Sequence, residues 1–380
     1  MLNRLKELGQ IGIDSTKGLA RVTATDADKA GRDKVVVWMK DAGLEVIVDK
    51  IGDIIGIWSI PENAEKEPIM IGSHIDTVLN AGIYDGNYGV ISGIEVVSTL
   101  IEEGFKPSRP IAVVAFTNEE GIRYQPDMMG SLVYAGGLSA EEALATVGID
   151  GTTLGEELKR IGYTGEAEPG FIKPYAFVEL HIEQGPILAS LNTPIGAVEN
   201  LQGISWQRLT IKGVANHAGT TPVSMRKDAG LSAAKIITYL REIADNSGGS
   251  TVATVGSIEF KPNAINVIPS EAILTVDLRD PNEEKLKKAE KALQEYIKIL
   301  EDSDGVTIST ERLVRFEPVI FDENIVKLIE AAAYERGLKS RRMTSGAGQD
   351  AQMMARICPT AMIFVPSIDG ISHNPKEYTP

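Results

Sequence analysis

The sequence predicts an α/β domain with a mixed, mostly parallel sheet, interrupted by a smaller ferredoxin-like α+β domain. Three observations predict it. Strand and helix patterns interleave through the first half of the chain, as they do where helices cross over a parallel sheet. IAVVAF, residues 111–116, is apolar without alternation, the pattern of a strand buried on both faces. Between Gln202 and about Phe316 the order changes to β-α-β-β-α-β, the split arrangement of a ferredoxin-like unit.

The elements follow in chain order. Residues 27–42 place apolar positions at helical spacing, and Gly43 marks a C-terminal stop. LEVIVDKIGDIIGIWSI alternates with period two, and PIMIGS is a further short strand. NYGVISGIEVVSTLIEEG carries Ile94, Val97 and Ile101 on one helical face and leads into the IAVVAF strand. In the second region RLTIKG, STVATVGSIEF, EAILTVDLRD and VTISTERLV are strands. KDAGLSAAKIITYLREIADN and NEEKLKKAEKALQEYIKILED are its helices. The chain then returns to helix in NIVKLIEAAAYERG and strand in TAMIFVP, which complete the first domain. The expected division is one discontinuous domain, 1–202 and 316–380, around an insertion at 203–315.

Composition narrows the function. A net charge of −15 over 380 residues argues against a nucleic-acid or anionic-membrane partner. No apolar run reaches the roughly 18 residues a membrane helix needs, and MLNRLKELGQ lacks a signal-peptide core. One cysteine, Cys358, allows no internal disulfide. The expectation is a cytoplasmic protein.

There are only four histidines. His74, in IMIGSHIDTV, and His181, in FVELHIEQG, follow apolar strands, and His373 lies in GISHNPKE; these three stand among glycines, near Asp or Glu. His217 falls in VANHAGTTP, inside the insertion. In open α/β sheets, ligands bind at the carboxyl ends of the strands. Asp76, two residues after His74, shares its face of an extended segment and is placed to hold or orient the imidazole. Asp85, in GIYDGNYG, suits either a metal ligand or a helix cap. With no cysteine nearby, imidazole and carboxylate donors would suit Zn, Mn, Co or Ni. Glu119 and Glu120 end the buried IAVVAF strand side by side. If a cation neutralises one, the other is free to act as a general base on a water.

With those residues in view, the chain resembles the amidase, hydantoinase and carbamoylase family, in its N-carbamoyl-L-amino-acid hydrolase and allantoate amidohydrolase branch. The likeness runs nearly end to end through GSHIDTV, YDGNYGV, FTNEEGIRY, LHIEQGP, NHAGTTPVSMRKDA, PNAINVIPS, VDLRD, SGAGQDA and ISHNPKE. The resemblance implies two divalent metal ions per subunit, held by His74, Asp85, Glu120, His181 and His373, with Asp85 bridging. It implies Glu119 as catalytic base, with Asp76 and His217 as further catalytic residues. Gln184, Asn266, Arg279 and Gln349 fall at substrate-binding positions, with Arg279 placed to grip a substrate carboxylate. Outside the resemblance, Asn266 suits a turn and Arg279 a surface ion pair with a neighbouring aspartate.

The activity implied is hydrolysis of an N-carbamoyl-L-amino acid to amino acid, ammonia and carbon dioxide. Allantoate and 3-ureidopropionate are the alternatives, followed by an aminoacylase or dipeptidase activity, which HIEQG disfavours, and a catalytically impaired metal-binding relative. The insertion would be a lid that closes on a small carboxylate substrate and the surface of a homodimer. Two departures stand out. The family usually has histidine where this chain has Gln349, and usually continues past EYTP into a last helix.

Overall fold

The computed structural model describes residues 1–16 and 18–380. Its backbone separates into two compact units, Met1–Glu199 with Phe321–Pro380, and Asn200–Ile320.

The first unit is built on strands β1 (Glu45–Val48), β2 (Ile54–Trp58), β3 (Ile69–His74), β4 (Ile111–Phe116), β5 (Ala176–Ile182), β6 (Ile195–Leu201), β7 (Ser340–Ser345) and β8 (Thr360–Val365). They lie in the order β6-β8-β5-β3-β4-β2-β1, with β7 on β6. The four central strands are parallel, because β3 pairs in parallel with β4 and β5, and β5 with β8. Antiparallel neighbours flank them, β6 on β8 and β2 on β4. This is the mixed, mostly parallel sheet expected. All six residues of β4 are buried, as its unbroken apolar run requires.

Helix α1 (Asp26–Asp41) begins where the Thr25 side chain accepts the Asp28 N–H. Helix α2 (Asn87–Glu102) buries Val90, Ile91, Ile94 and Val97. Ile101, expected on that face, is instead 37% exposed, since the buried stripe ends one turn before the helix does. Three short helices, Met129–Tyr134, Ala140–Leu144 and Leu154–Ile161, occupy a stretch whose periodicity is too brief to read. The last two each open on a reciprocal capping box, Ser139 with Glu142 and Thr153 with Glu156. Among the described residues no helix is long and apolar enough to cross a membrane.

The second unit has the expected ferredoxin-like form. Strands Gly203–Lys212, Glu271–Asp280 and Thr307–Phe316 pair antiparallel, with Gly203–Lys212 in the middle. The segment expected as one strand, STVATVGSIEF, forms two, Val252–Thr254 and Ile258–Lys261, both on Glu271–Asp280. The break falls at Val255-Gly256-Ser257, where glycine weakens a strand interior. Helices Ala229–Asn246 and Glu283–Asp304 cover one face, and Leu209, Ile236, Leu274 and Leu293 are among the residues of the core beneath them.

Candidate metal centre

The sheet delivers its polar side chains at the carboxyl ends of the parallel strands. His74 ends β3, His181 is the penultimate residue of β5, and Glu119 and Glu120 follow β4 by a short loop. Asp85 lies just before α2, and His373 comes from the C-terminal segment.

Asp85 is where these side chains meet. Its Oδ1 lies 3.1 Å from His181 Nε2 and 3.8 Å from His74 Nε2. Its Oδ2 lies 3.2 Å from His373 Nε2, which is in turn 3.6 Å from a Glu120 oxygen. Glu119 stands on the other side, 3.4 Å from His74 Nε2. Asp85 does not cap α2, whose N-cap is Gly86 at φ +61°. A Cβ on Gly86 would sit 2.4 Å from His74 Nε2, so only glycine lets the backbone pass the ring.

Two imidazoles are fixed by main-chain carbonyls. His74 Nδ1 is 3.0 Å from the Asp76 carbonyl oxygen and His181 Nδ1 is 2.9 Å from that of Ile182. With each Nδ1–H held there, each Nε2 is the ring atom aimed at the centre. The Asp76 carboxylate has a further task beside the one its spacing suggests. Its Oδ1 accepts the Glu119 N–H and its Oδ2 the Glu120 N–H, both at 3.2 Å, and Thr23 Oγ1 donates to Oδ2 at 3.0 Å. It holds the paired glutamates while its Oδ1 stays 3.6 Å from His74 Nδ1, beside the imidazole as its spacing suggests.

Charge is crowded here. Burial, then the Glu120 carboxylate, pushes the Glu119 carboxyl well above the usual range, and burial with Asp85 does the same to Glu120. At Asp85 burial acts upward, but hydrogen bonds to His181 and His373 outweigh it and hold the carboxyl well below its usual range. Burial lowers His74; at His181 burial also acts downward, but the hydrogen bond and charge of Asp85 together with the Glu179 charge outweigh it and raise the imidazole to about 9.

The donor set fits divalent cations. His74 Nε2 and Glu120 Oε1 are buried without a hydrogen-bond partner, an unfavourable state that coordination would relieve. Ligand atoms within 4.8 Å of one another form the groups His74–Asp85–His181, Asp85–Glu120–His373 and His74–Glu119–Glu120. All are nitrogen or carboxylate oxygen donors, which suit borderline metals.

Gln184 and Gln349 border this centre. Gln184 Nε2 donates to Asp85 Oδ2 at 2.9 Å, and Gln349 Nε2 donates to Gln184 Oε1 at 2.9 Å. His217, Asn266 and Arg279 belong to the second unit. There His217 Nδ1 accepts the N–H groups of Gly219 and Thr220, which leaves Nε2 as a donor. The Asn266 carbonyl accepts the Ala218 N–H, and Arg279 pairs with Asp277 at 2.9 Å.

Sequence reasoning missed two buried residues that shape the first unit's site. Arg21 donates to the Ile75 carbonyl at 2.7 Å and to Asn87 Oδ1 at 2.7 Å, tying the end of β3 to the start of α2. Glu377 accepts the N–H groups of Tyr84 and Asp85. Only Glu377 carried a signal, as an acid four residues after His373.

Imidazole and carboxylate donors converging at parallel strand ends, with one aspartate between two donor groups, define a metal-dependent hydrolase site. Comparison with known proteins makes this more specific. The chain belongs to peptidase family M20/M25/M40, whose model matches residues 70–380. An N-carbamoyl-L-amino-acid amidohydrolase of Rhizobium meliloti is 39% identical over 373 residues, 98% of this chain and 89% of the relative. A ureidoglycolate hydrolase of Arabidopsis thaliana is 35% identical over 388 residues, covering 99% of this chain and 81% of the relative. Among solved structures, an amidase of the hydantoinase/carbamoylase family from Burkholderia multivorans superposes with a TM-score of 0.96 at 40% identity. That alignment covers 100% of this chain and 92% of the other.

Proposed function

We propose that the protein is a hydrolase that cleaves the carbamoyl C–N bond of an N-carbamoyl-L-amino acid, yielding amino acid, ammonia and carbon dioxide. The observation that carries the reaction class is Asp85, whose two oxygens face different imidazoles, with Glu119 beside them 3.4 Å from His74 Nε2. The carbamoyl substrate rests on likeness to the Rhizobium meliloti enzyme.

In this reading His74, Asp85, Glu120, His181 and His373 would hold two divalent cations (Zn, Mn, Co or Ni). When bound, they supply Lewis acidity that favours hydroxide near neutral pH and polarises the ureido carbonyl. Glu119 takes the proton of the attacking water and delivers it to the leaving nitrogen. Its buried surroundings raise its proton affinity above that of an exposed carboxylate, the direction such a relay needs. Asp76 fixes the backbone that carries Glu119, and Gln184, steadied by Gln349, lines the substrate space beside Asp85. His217 offers Nε2–H to the developing oxyanion, and Arg279 binds the substrate carboxylate with Asn266 nearby in sequence. Those three residues come from the inserted unit, which acts as the lid and as the surface of a homodimer.

The test is ammonia release by metal-stripped protein reloaded with Mn, Co or Zn. The panel holds N-carbamoyl-L-amino acids, allantoate, 3-ureidopropionate, ureidoglycolate and an N-acyl amino acid. Metal-dependent release, fastest from N-carbamoyl-L-amino acids, is expected. No ammonia from any ureido compound, with cleavage of the acyl amino acid instead, would overturn the assignment.

A further inference from the structure

Asp85 and His373 are 288 residues apart in the chain, yet both must face one centre from loops with no strand or helix of their own to hold them. His373 also adopts a left-handed backbone, φ +53°, which a non-glycine residue keeps only when its surroundings enforce it. The structure shows what links the two loops. Glu377, 5% exposed, directs one carboxylate oxygen at the backbone of the Asp85 loop. That oxygen accepts the Tyr84 N–H at 3.0 Å and the Asp85 N–H at 3.1 Å. The other oxygen accepts from Ser372 Oγ at 3.2 Å, and the same hydroxyl lies 3.3 Å from Asp85 Oδ2. The turn is closed on itself, because Glu377 N–H donates to the Asn374 carbonyl at 2.9 Å and Lys376 N–H to Asn374 Oδ1 at 3.0 Å. Gly82 makes room: a Cβ there would lie 2.4 Å from the Glu377 carboxylate.

We propose that Glu377 is a positioning residue of the metal centre, one acceptor group that locks the Asp85 loop to the His373 turn so that both ligands arrive in register. The proposal rests on the two-cation reading above. What the Asp85 loop requires from Glu377 is an acceptor for two N–H groups. Glutamine supplies that through its carbonyl oxygen, whereas alanine does not. Alanine at position 82 keeps the carboxylate but drives it from its place.

The experiment is calorimetric titration of metal-stripped protein with manganese chloride, comparing wild type, E377A, E377Q and G82A. Thermal unfolding of each metal-free form is measured alongside. Manganese affinity in E377A is expected to fall about 10–100-fold, as for other groups that orient ligands. E377Q should stay within roughly threefold of wild type on that scale, and G82A should behave like E377A. Manganese affinity in folded E377A equal to wild type would overturn the proposal, and so would E377Q as impaired as E377A. If E377A does not fold, G82A decides: wild-type affinity there overturns the lock. Wild type that takes up no manganese would instead overturn the metal-centre reading, and this proposal with it.

Discussion

Asp76 gives a prediction whose size follows from the geometry. Its carboxylate is 2% exposed and accepts the Glu119 N–H, the Glu120 N–H and the Thr23 hydroxyl. Asparagine has one acceptor oxygen, so D76N leaves one buried N–H without a partner, at a cost of about 1–3 kcal/mol. D76A removes both amide acceptors, roughly 2–6 kcal/mol in all, while the Thr23 hydroxyl can rotate elsewhere. The released loop carries Glu119, and a misplacement on the order of 1 Å at a reacting group can lower a rate about 100-fold. His74 keeps its nearer Nδ1 partner, the Asp76 main-chain carbonyl at 3.0 Å, and loses only the carboxylate charge 3.6 Å away. D76N is therefore expected to bind its metals, to turn over about 10–100-fold more slowly, and to unfold at lower denaturant. The assays are metal content after gel filtration, ammonia release, and guanidinium unfolding of the metal-free protein. Loss of metal with unchanged stability would refute the reasoning and make the imidazole contact the carboxylate's main task.

Two further predictions concern residues around the site. Burial pushes Asp49 up to about 7, and burial with the Asp49 charge raises Asp53 well above the usual carboxylate range. A carboxyl raised in the folded state contributes stability that is full below its unfolded pKa near 4 and is lost as pH rises toward 7. Over that window each such group should cost about 1.4 kcal/mol per pH unit, so D49N should unfold with a visibly flatter pH dependence than wild type. Parallel stability curves from pH 4 to 7 would count against a raised, buried Asp49 carboxyl. G86A places a Cβ against Nε2 of His74 at a backbone φ of +61°. It should lose metal binding in titration while the metal-free fold survives, and unchanged affinity would contradict the role given to that glycine.

Much of the fold is legible because its signals are local. The unbroken IAVVAF run identifies a central strand, and period-two alternation finds β1 and β2 on either side of the Lys50–Asp53 turn. What escapes is what neighbouring sequence does not encode. The helices between 129 and 161 are too short for periodicity to declare, although the Thr153–Glu156 capping box was there to read. Ile101 fits the helical stripe of α2 and still faces solvent, because burial depends on where the covering layer stops. The candidate site divides in the same way. The scarcity of histidine singles out His74, His181 and His373, which the structure brings to one aspartate. The hydrogen-bond partner of the Asp76 carboxylate is not predictable from spacing, since the Glu119 N–H it accepts lies 43 residues away. Glu377 meets the Asp85 backbone across 292 residues, a proximity only the assembled sheet creates.

The central claim is that Glu119 moves protons while its neighbours hold metal, and E119Q tests it most directly. Glutamine preserves the size of the side chain and removes its capacity to take a proton. Metal content and ammonia release should be measured on one reloaded sample of E119Q beside wild type. E119Q is expected to carry the wild-type complement of bound metal with turnover reduced by at least about 100-fold. Turnover near wild type would contradict the assignment of the base, and loss of bound metal would show that Glu119 is itself a ligand.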